Sequence, residues 1–458
     1  MTTLRDETTV GVHPGRQVLA LVLALGATLP GVVLRLSGAH VSDPLAATLL
    51  GVAIVGAAFL MAWAAEVAQL DISAGLAIAV LALIAVLPEY AVGFVFAGKG
   101  GHAYKAFGAA CQSKAAVAAG SQPPCSLALA NMTGANRLLI GVGWTMVMLV
   151  AWRQRRKRGE RVKEVVLERS HSVELAFLAL ACGYSLILPF KRTINLIDAG
   201  ILMAIFIVYS VRVSRAPAET PHLVGPARYL GGFRTARRRA AVVGLLVVAA
   251  AVIVLCADHF ADSLVATGRS LGVSDFLLVQ WLAPIASETP ELLVAGLYAW
   301  RLNTNAGLGT LVSSKVNQWT LLVGTLPIVF VVASGSLHGL PITGEPRLEL
   351  LLTAAQSVFA VAILVNLAIS NREAVALFVL FVSQFALSAF SHGTTHDVER
   401  IAYSVLYLAA AAVVLVRDRA GLVRMLRDGF RAPYSELADS VTAPPPWPAW
   451  PRNTSTCS

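Results

Sequence analysis

The chain has 458 residues, of which 57% are hydrophobic and only 14% are charged. Soluble domains carry about 25% charged residues, so this composition excludes an ordinary soluble protein. The net charge of +10 comes from basic residues clustered in a few loops, which is typical of membrane orientation and does not indicate nucleic-acid binding. Apolar runs of about 20 residues, without the alternation of barrel strands, predict an all-α, polytopic membrane protein.

About twelve apolar segments are predicted to span the membrane. In chain order they cover 17–37, 46–68, 74–97, 127–152, 173–190, 194–213, 239–267, 274–300, 307–334, 349–369, 374–391 and 400–416. The third contains Pro88-Glu89 and the eighth contains Pro290-Glu291. Each of these two helices therefore carries a proline followed by a carboxylate within a span.

Basic clusters predict the orientation of the chain. Lys and Arg concentrate in 153–163, 212–239 and 417–431. Even numbers of spans separate these clusters, so all three lie on one side, which the positive-inside rule identifies as the cytoplasm. Both termini are then cytoplasmic and the loop with Cys111 and Cys125 lies outside. These two cysteines could form a disulfide if that side is oxidising.

Two stretches of the sequence match each other. Residues Ile84–Tyr90 read IAVLPEY and residues Ile285–Leu292 read IASETPEL. One loop later, each is followed by a polar segment that becomes apolar and ends in glycine, over Asn131–Gly143 and Thr310–Gly324. The span count makes the first Pro-Glu helix run outward and the second inward. Inverted repeats with interrupted helices indicate a secondary transporter with an ion site near the membrane midplane.

Glu89 and Glu291 are the principal candidates for that site. Inserting a carboxylate within a span costs at least ~2.5 kcal/mol of free energy on insertion scales, so such a residue is expected to have a charge partner or a functional role. The preceding proline removes a backbone donor and frees carbonyl oxygens beside the carboxylate. Carboxylates and carbonyls are the ligands that calcium prefers. The pair could hold one divalent cation or bind protons; the alternative is two helix-end charges near the interface.

These motifs resemble the calcium/cation antiporter superfamily, best known for sodium/calcium exchangers. Its repeats pair a Thr-Ser-x-Pro-Glu helix with a helix of Gly-Asn-x-x-Gly-Ser-Asn-x-x-Asn type. The resemblance covers roughly 46–213 and 239–391 and implies two inverted five-helix halves, with the first and last helices added. It implies Glu89 and Glu291 as the metal ligands. Further candidate ligands are Ser287, Glu288, Asn136, Ser314, Asn317 and Gln318.

Two departures from the superfamily pattern concern the residues before Pro-Glu. The first repeat has Ala85 and Val86 in place of Thr-Ser, which removes two hydroxyl ligands. The second has Ser287 and Glu288, which adds a carboxylate.

Two further departures place fixed cations near the site. Lys315 occupies the Asn of Gly-Ser-Asn, and one register puts Arg137 and Gln318 at the last Asn of the motif, whereas another puts Leu139 there. Arg137 and Lys315 would compensate the glutamates and replace a bound sodium, which favours proton coupling. The alternative is that both side chains point to water.

Other polar residues suggest less specific roles. Asp258, His259 and Asp262 share one span, with the aspartates on one helix face. They could line an outer vestibule, relay protons, or form a polar cluster near the external end. One histidine with two aspartates is a poor zinc signature, and the sequence has no HExxH motif, so an intramembrane metalloenzyme is disfavoured.

The predicted function is secondary active antiport of Ca²⁺ or a related cation against H⁺ or Na⁺ by alternating access, without a cofactor. The predicted partners are membrane lipid and inorganic cations, with no nucleic acid and no protein partner identified. The alternative is a non-transporting sensor or scaffold in which Arg137 and Lys315 plug the site. The composition is typical of a bacterial cytoplasmic membrane protein.

The predicted domain organisation follows the repeats. The segments are an N-terminus with an extra helix (1–44), the first half (45–213), a basic loop (214–238), the second half (239–391), an extra helix with a basic tail (392–431) and a disordered Pro-rich tail (432–458).

Overall fold

A computed structural model provides the fold of the chain. It describes residues 14–71, 87–112, 125, 127–160, 164–216, 223, 225–270, 275–342, 344–390 and 394–438. The α-helices are α1 (Pro14–Ser37), α2 (Asp43–Ala68), α3 (Leu87–Phe107), α4 (Leu127–Leu138), α5 (Thr145–Lys157), α6 (Ser172–Ser185), α7 (Leu196–Val213), α8 (Pro226–Gly231), α9 (Thr235–Ser270), α10 (Asp275–Trp300), α11 (Thr304–Asn317), α12 (Val323–Ser334), α13 (Glu345–Ile363), α14 (Asn371–Phe390), α15 (Thr394–Arg417), α16 (Arg419–Phe430) and α17 (Tyr434–Ala438).

Shorter elements connect these helices. Two π-helical turns, Leu139–Trp144 and Gln318–Leu322, join α4 to α5 and α11 to α12. The 3₁₀ turns are Gly108–Gln112, Arg169–His171, Leu188–Phe190 and Leu364–Asn366. The strands are β1 (Glu164–Val166), β2 (Thr193–Ile194), β3 (Leu340–Pro341) and β4 (Ala368–Ser370).

The all-α, membrane-spanning prediction is confirmed. Within the described residues, nine helical segments are long and apolar enough to cross a membrane. A helix lies at each of the twelve predicted positions, although the first part of the third span, 74–86, falls outside the described residues. The number of spans therefore stays a prediction, while the helical class does not.

The third helix continues beyond its predicted end at residue 97. Helix α3 reaches Phe107 because its glycines serve close packing and do not end the helix. A Cβ on Gly101 would lie 2.7 Å from the backbone oxygen of Phe330 in α12, and one on Gly100 would lie 3.0 Å from the backbone of Cys125. Within the following 3₁₀ turn, Cys111 forms a disulfide with Cys125 next to this end of α3.

Helix packing places the two Pro-Glu helices against the polar helices. Helix α10 packs along α4, and α3 packs against both α12 and α4. Helices α1, α2 and α9 form a second group of mutually packed helices. The helix added after the second half, α15, packs along α13.

Two small antiparallel sheets join the two halves of the chain. Strand β1 pairs with β4, with Val165 opposite Ile369. Strand β2 pairs with β3, with Ile194 opposite Leu340. Each sheet thus takes one strand from each half. Backbone hydrogen bonds, which hold strands in a defined register, therefore cross the boundary between the halves twice.

The C-terminal segment is more ordered than the sequence predicts. Helix α16 is amphipathic and packs on α6, where a Cβ on Gly429 would lie 2.4 Å from the backbone oxygen of Ser172. Arg169 donates to Asp428 at 2.7 Å and holds the pKa of that carboxyl below its usual range, against the opposing effect of burial. Helix α17 lies within the predicted disordered tail, 432–458, so that prediction is wrong for Tyr434–Ala438; residues 439–458 lie outside the described residues.

An ion pair connects the end of α2 to the start of α9. Arg238 donates from Nε and Nη2 to the two carboxylate oxygens of Asp71, each at 2.8 Å, and Arg239 adds a contact at 3.2 Å. The hydrogen bonds from Arg238 lower the pKa of Asp71 from 3.8 to about 2. A carboxyl with a depressed pKa stabilises the fold above its ordinary pKa, and this contribution is lost as the pH falls through the folded-state value.

We expect Asp71→Asn to lower the melting temperature of the purified protein at pH 7. The difference from the wild-type protein should shrink as the pH falls from 4 to 2, because Asp71 becomes protonated in that range. Thermal unfolding measured across this pH range provides the check. A difference that stays constant down to pH 2 would exclude the ion pair as its source.

Candidate functional site

Glu89 lies in α3, directly after Pro88. The described part of this helix begins at Leu87, because residues 72–86 lie outside the described residues. The Glu89 side chain is buried, with 3% of its surface exposed. Ala85 and Val86, the predicted departures before this motif, lie outside the described residues.

Glu288 and Glu291 lie in the middle of α10. They are three residues apart and therefore share one helix face. Pro290, like Pro284 one and a half turns earlier, lies inside this helix and removes a backbone donor. The helix stays continuous at both prolines, so the predicted interruption of the second Pro-Glu helix is limited to lost hydrogen bonds.

The carbonyl released by Pro284 lies where α10 approaches α4 closely. Pro284 cannot donate to the backbone oxygen of Gln280, and Gly134 of α4 lies directly against this oxygen. A Cβ on Gly134 would lie 1.6 Å from it, so only glycine fits there. The two helices that carry the site are thereby held in close contact.

Gln318 connects the two Pro-Glu helices. Its Nε2 donates to Glu288 Oε1 at 2.9 Å and lies 3.4 Å from Glu89 Oε2. The carboxyl groups of Glu89 and Glu288 are themselves close neighbours. The structure thus places Glu288 beside Glu89 on the same amide, whereas the sequence singles out Glu291 as the partner of Glu89.

Several buried oxygens of the candidate residues have no hydrogen-bond partner among the described residues. They are Glu89 Oε1, Glu291 Oε2, Asn317 Oδ1 and Gln318 Oε1. Buried polar atoms are normally hydrogen-bonded, and Glu89 lies beside both Gln318 and Glu291, so these unpaired oxygens indicate a role other than stability. Carboxylate and amide oxygens of this kind are ligands for a hard cation.

The four oxygens do not form a finished metal site in this conformation. Within the described part of the chain, no three His, Cys, Asp or Glu side chains converge as metal ligands. A cation bound here would therefore use amide oxygens together with the carboxylates.

Lys315 lies next to the glutamates and is fully buried. Its Nζ donates to the backbone oxygen of Asn136 at 2.6 Å and to Asn136 Oδ1 at 2.5 Å, and it lies 5.6 Å from the centre of the Trp319 ring. The amide of Asn136 is fixed in turn, because its Nδ2 donates to the backbone oxygen of Met132. The ammonium group thus occupies a place lined by oxygens, as a bound monovalent cation would.

The guanidinium group of Arg137 has its hydrogen-bond partners outside the cluster of Glu89, Glu288 and Glu291. It is buried, and its Nη1 donates to Glu349 Oε2 on α13 at 2.7 Å. The interpretation that Arg137 and Lys315 point to water is therefore wrong, because neither side chain is exposed. A plug made of both residues does not form either, since Arg137 has its partner elsewhere.

The two π-helical turns occupy equivalent positions in the two halves. One follows directly after the Asn136-Arg137 segment, and the other begins at Gln318. A π turn inserts one residue and rotates the side chains that follow, and such turns are frequent at functional sites. Sequence reasoning missed them; the recurrence of a polar-to-apolar change at the same point of both repeats is the signal that marks their place.

Two candidate serines have different surroundings. Ser287 Oγ lies 3.4 Å from the backbone oxygens of Ala283 and Pro284 and so bonds within its own helix. Ser314 is buried one residue before Lys315.

The polar cluster on α9 pairs with α3. Lys99 Nζ lies 2.9 Å from Asp258 Oδ1 and also contacts Asp262. His259 Nδ1 lies 3.8 Å from Asp258. The two aspartates are more than half exposed, at 55% and 57%. This arrangement fits the predicted polar cluster, while a role in an outer vestibule or a proton relay stays a prediction.

Comparison with known proteins places this arrangement in a family. The sequence pattern of the sodium/calcium exchanger protein family matches residues 44–215 and 241–390. No curated protein sequence matches the chain. Both matched ranges contain one Pro-Glu helix and the polar helix that follows it, and they leave out α1 and α15.

Solved structures agree with this assignment. The crystal structure of the H⁺/Ca²⁺ exchanger CAX is 36% identical in sequence and superposes with a TM-score of 0.81, covering 93% of this chain and 100% of that one. The structure of native YfkE is 13% identical with a TM-score of 0.56, covering 84% and 99%, and is similar in fold. The chain therefore belongs to the sodium/calcium exchanger protein family, whose members are membrane transporters and not enzymes.

Proposed function

We propose that the protein exchanges Ca²⁺, or a related divalent cation, for protons. The observation that carries this proposal is the set of unpaired buried oxygens of Glu89, Glu291 and Gln318 beside the Glu89–Glu288 pair. Calcium takes six to eight oxygen ligands and tolerates irregular geometry, so such a mixed set suits it.

Buried carboxylates supply the exchange. Glu89, Glu288 and Glu291 lie close enough to repel one another when all are ionised, and burial increases that repulsion. Either a divalent cation or protons can relieve it, but a carboxylate that holds a proton binds a metal ion poorly. The two ions therefore compete for the same oxygens, which is the requirement for antiport.

Lys315 favours protons over sodium as the coupling ion. Its ammonium group takes two oxygens of Asn136 that a sodium ion would otherwise use. The 36% identity to a structure described as an H⁺/Ca²⁺ exchanger supports the same choice.

Transport is proposed to follow alternating access between the two inverted halves, 45–213 and 239–391. Inverted repeats with their polar helix segments at the interface support this mechanism. We also propose a cytoplasmic location for both termini, supported by the basic clusters, with the disulfide loop on the opposite side.

The test is uptake of radioactive calcium into proteoliposomes under an imposed pH gradient or an imposed sodium gradient. We expect the pH gradient to drive uptake and the sodium gradient to have no effect. Uptake driven by sodium alone would contradict proton coupling. An absence of calcium, sodium, potassium and manganese flux under every gradient would contradict transport and favour the non-transporting alternative.

A further inference from the structure

A buried network of charges adjoins the ion site. Glu349 of α13 accepts from Arg137 Nη1 at 2.7 Å and from Arg400 Nε at 2.6 Å. All three side chains are at most 2% exposed. One carboxylate thus lies between two guanidinium groups, one from the polar helix α4 and one from α15.

Amide side chains fix this carboxylate further. Gln280 of α10 donates to Glu349 Oε2 at 2.7 Å, and Gln384 of α14 accepts from Arg137. The face of the Trp281 ring covers the Arg137 guanidinium at 5.2 Å. Glu349 is therefore contacted from α4, α10 and α15, and its position does not depend on a single bond.

The network reaches the ion site through the backbone of α4. Asn136 accepts both hydrogen bonds of Lys315, and Arg137 is the next residue. The Arg137 backbone therefore lies beside the contact between Lys315 and Asn136, while the guanidinium group is turned toward Glu349, so the charge on Arg137 is separated from this contact by the length of its own side chain. Gln280 provides a second connection, because it lies on the same helix as Glu288 and Glu291.

The charges of the network balance in a specific order. Glu349 neutralises Arg137 in the interior. The charge of Arg400 is met by Glu345 at 2.5 Å and by Asp397 at 3.6 Å, which are 34% and 56% exposed. Solvent weakens the electrostatic effect of these two partly exposed carboxylates. A change of charge in the buried pair of Arg137 and Glu349 should therefore have the larger effect on a bound cation.

We propose that Glu349 sets the affinity of the ion site by neutralising Arg137, and that Arg400 holds the Glu349 carboxylate in the position that does so. Both act as positioning residues, because neither contacts the glutamates of the site. Arg400 belongs to α15, which lies outside the ranges matched by the family pattern. The inference rests on the proposed function, since it concerns the cation that the site binds.

Charge-removing substitutions test this proposal because the two single variants should change the calcium affinity in opposite directions. Glu349→Gln leaves the positive charge of Arg137 uncompensated and should raise the calcium concentration for half-maximal uptake about tenfold. Arg137→Gln leaves an excess negative charge and should lower that concentration. The double variant Arg137→Gln/Glu349→Gln removes both charges and should return it toward the wild-type value, while a purely structural role would make the double variant the worst of the three.

The measurement is calcium-dependent uptake by each variant in proteoliposomes, with melting temperature and gel filtration to establish folding. Changes of the same sign in both single variants, or a double variant that adds their effects without cancelling them, would overturn the proposal. If Glu349→Gln does not fold, the other two variants still test the proposal. Arg137→Gln should lower the calcium concentration for half-maximal uptake, and the double variant should bring it back toward the wild-type value. Absent uptake by the wild-type protein would instead count against the proposed function.

Discussion

Replacing Glu89 by Gln is expected to abolish calcium uptake driven by a pH gradient. Gln has nearly the same shape, so the variant keeps the packing of α3 and loses only the charge and the ability to carry a proton. Loss of partners outside the ligand shell already costs about 10- to 100-fold in metal affinity, so loss of a ligand carboxylate should cost on the order of 100-fold or more.

The same change at the neighbouring glutamates separates their roles. Glu288 shares the Gln318 amide with Glu89, whereas Glu291 carries one of the unpaired oxygens. We expect Glu291→Gln to reduce uptake as severely as Glu89→Gln, because both would remove a ligand. Glu288→Gln should reduce proton coupling while leaving measurable calcium binding.

Calcium binding by isothermal titration and uptake into proteoliposomes provide the two readouts. Glu160→Gln is the matched control, since this exposed loop glutamate undergoes the same chemical change away from the site. Full uptake by Glu89→Gln at wild-type affinity would refute the assignment of the ion site. Equal losses in Glu160→Gln would trace the effect to general charge and not to the site.

Replacing Lys315 by Gln is expected to change the coupling ion. The substitution removes the ammonium group and leaves the backbone oxygen and Oδ1 of Asn136 without their donor. Together with the new side-chain amide oxygen, these atoms offer a sodium ion a set of hard ligands. We expect an imposed sodium gradient to drive calcium uptake in this variant, and the rate under a pH gradient to fall about tenfold as a charge partner of the glutamates is lost.

Uptake measured under separate sodium and pH gradients checks this result. Lys105→Gln, at an exposed position near the end of α3, is the control for loss of a positive charge. A Lys315→Gln protein that remains indifferent to sodium and keeps its full response to pH would show that the lysine does not take the place of an ion. A protein without any uptake but with wild-type calcium binding would place Lys315 in the conformational change.

The helical class and the inverted repeat are predictable from the sequence because both are written in local patterns. Long apolar runs identify spans, and the two Pro-Glu pairs recur at matching positions on oppositely directed helices. The family assignment follows from the same residues and is confirmed. The length of α3 was not predictable, because Gly100 and Gly101 have the composition of a loop and only their tertiary neighbours show that they pack.

The contacts within the site depend on rotations that the sequence does not show. One π turn begins at Gln318, whereas Arg137 precedes the π turn of its own half, so a motif register read at 3.6 residues per turn cannot tell which of the two faces the glutamates of the site. In the structure Gln318 does and Arg137 does not. Glu349 and Arg400, 51 residues apart, meet only through the packing of α13 on α15.

The two small sheets limit how the protein can move. A motion that swung one half away from the other as a rigid block would break the backbone pairing of Val165 with Ile369 and of Ile194 with Leu340 together. Because the two sheets connect the halves at two separate points, a rotation of one half against the other would also strain their backbone hydrogen bonds. Under the proposed alternating access, we therefore expect access to the ion site to change through displacement of individual helices within this frame. The group of α1, α2 and α9 contributes none of the described strands to it.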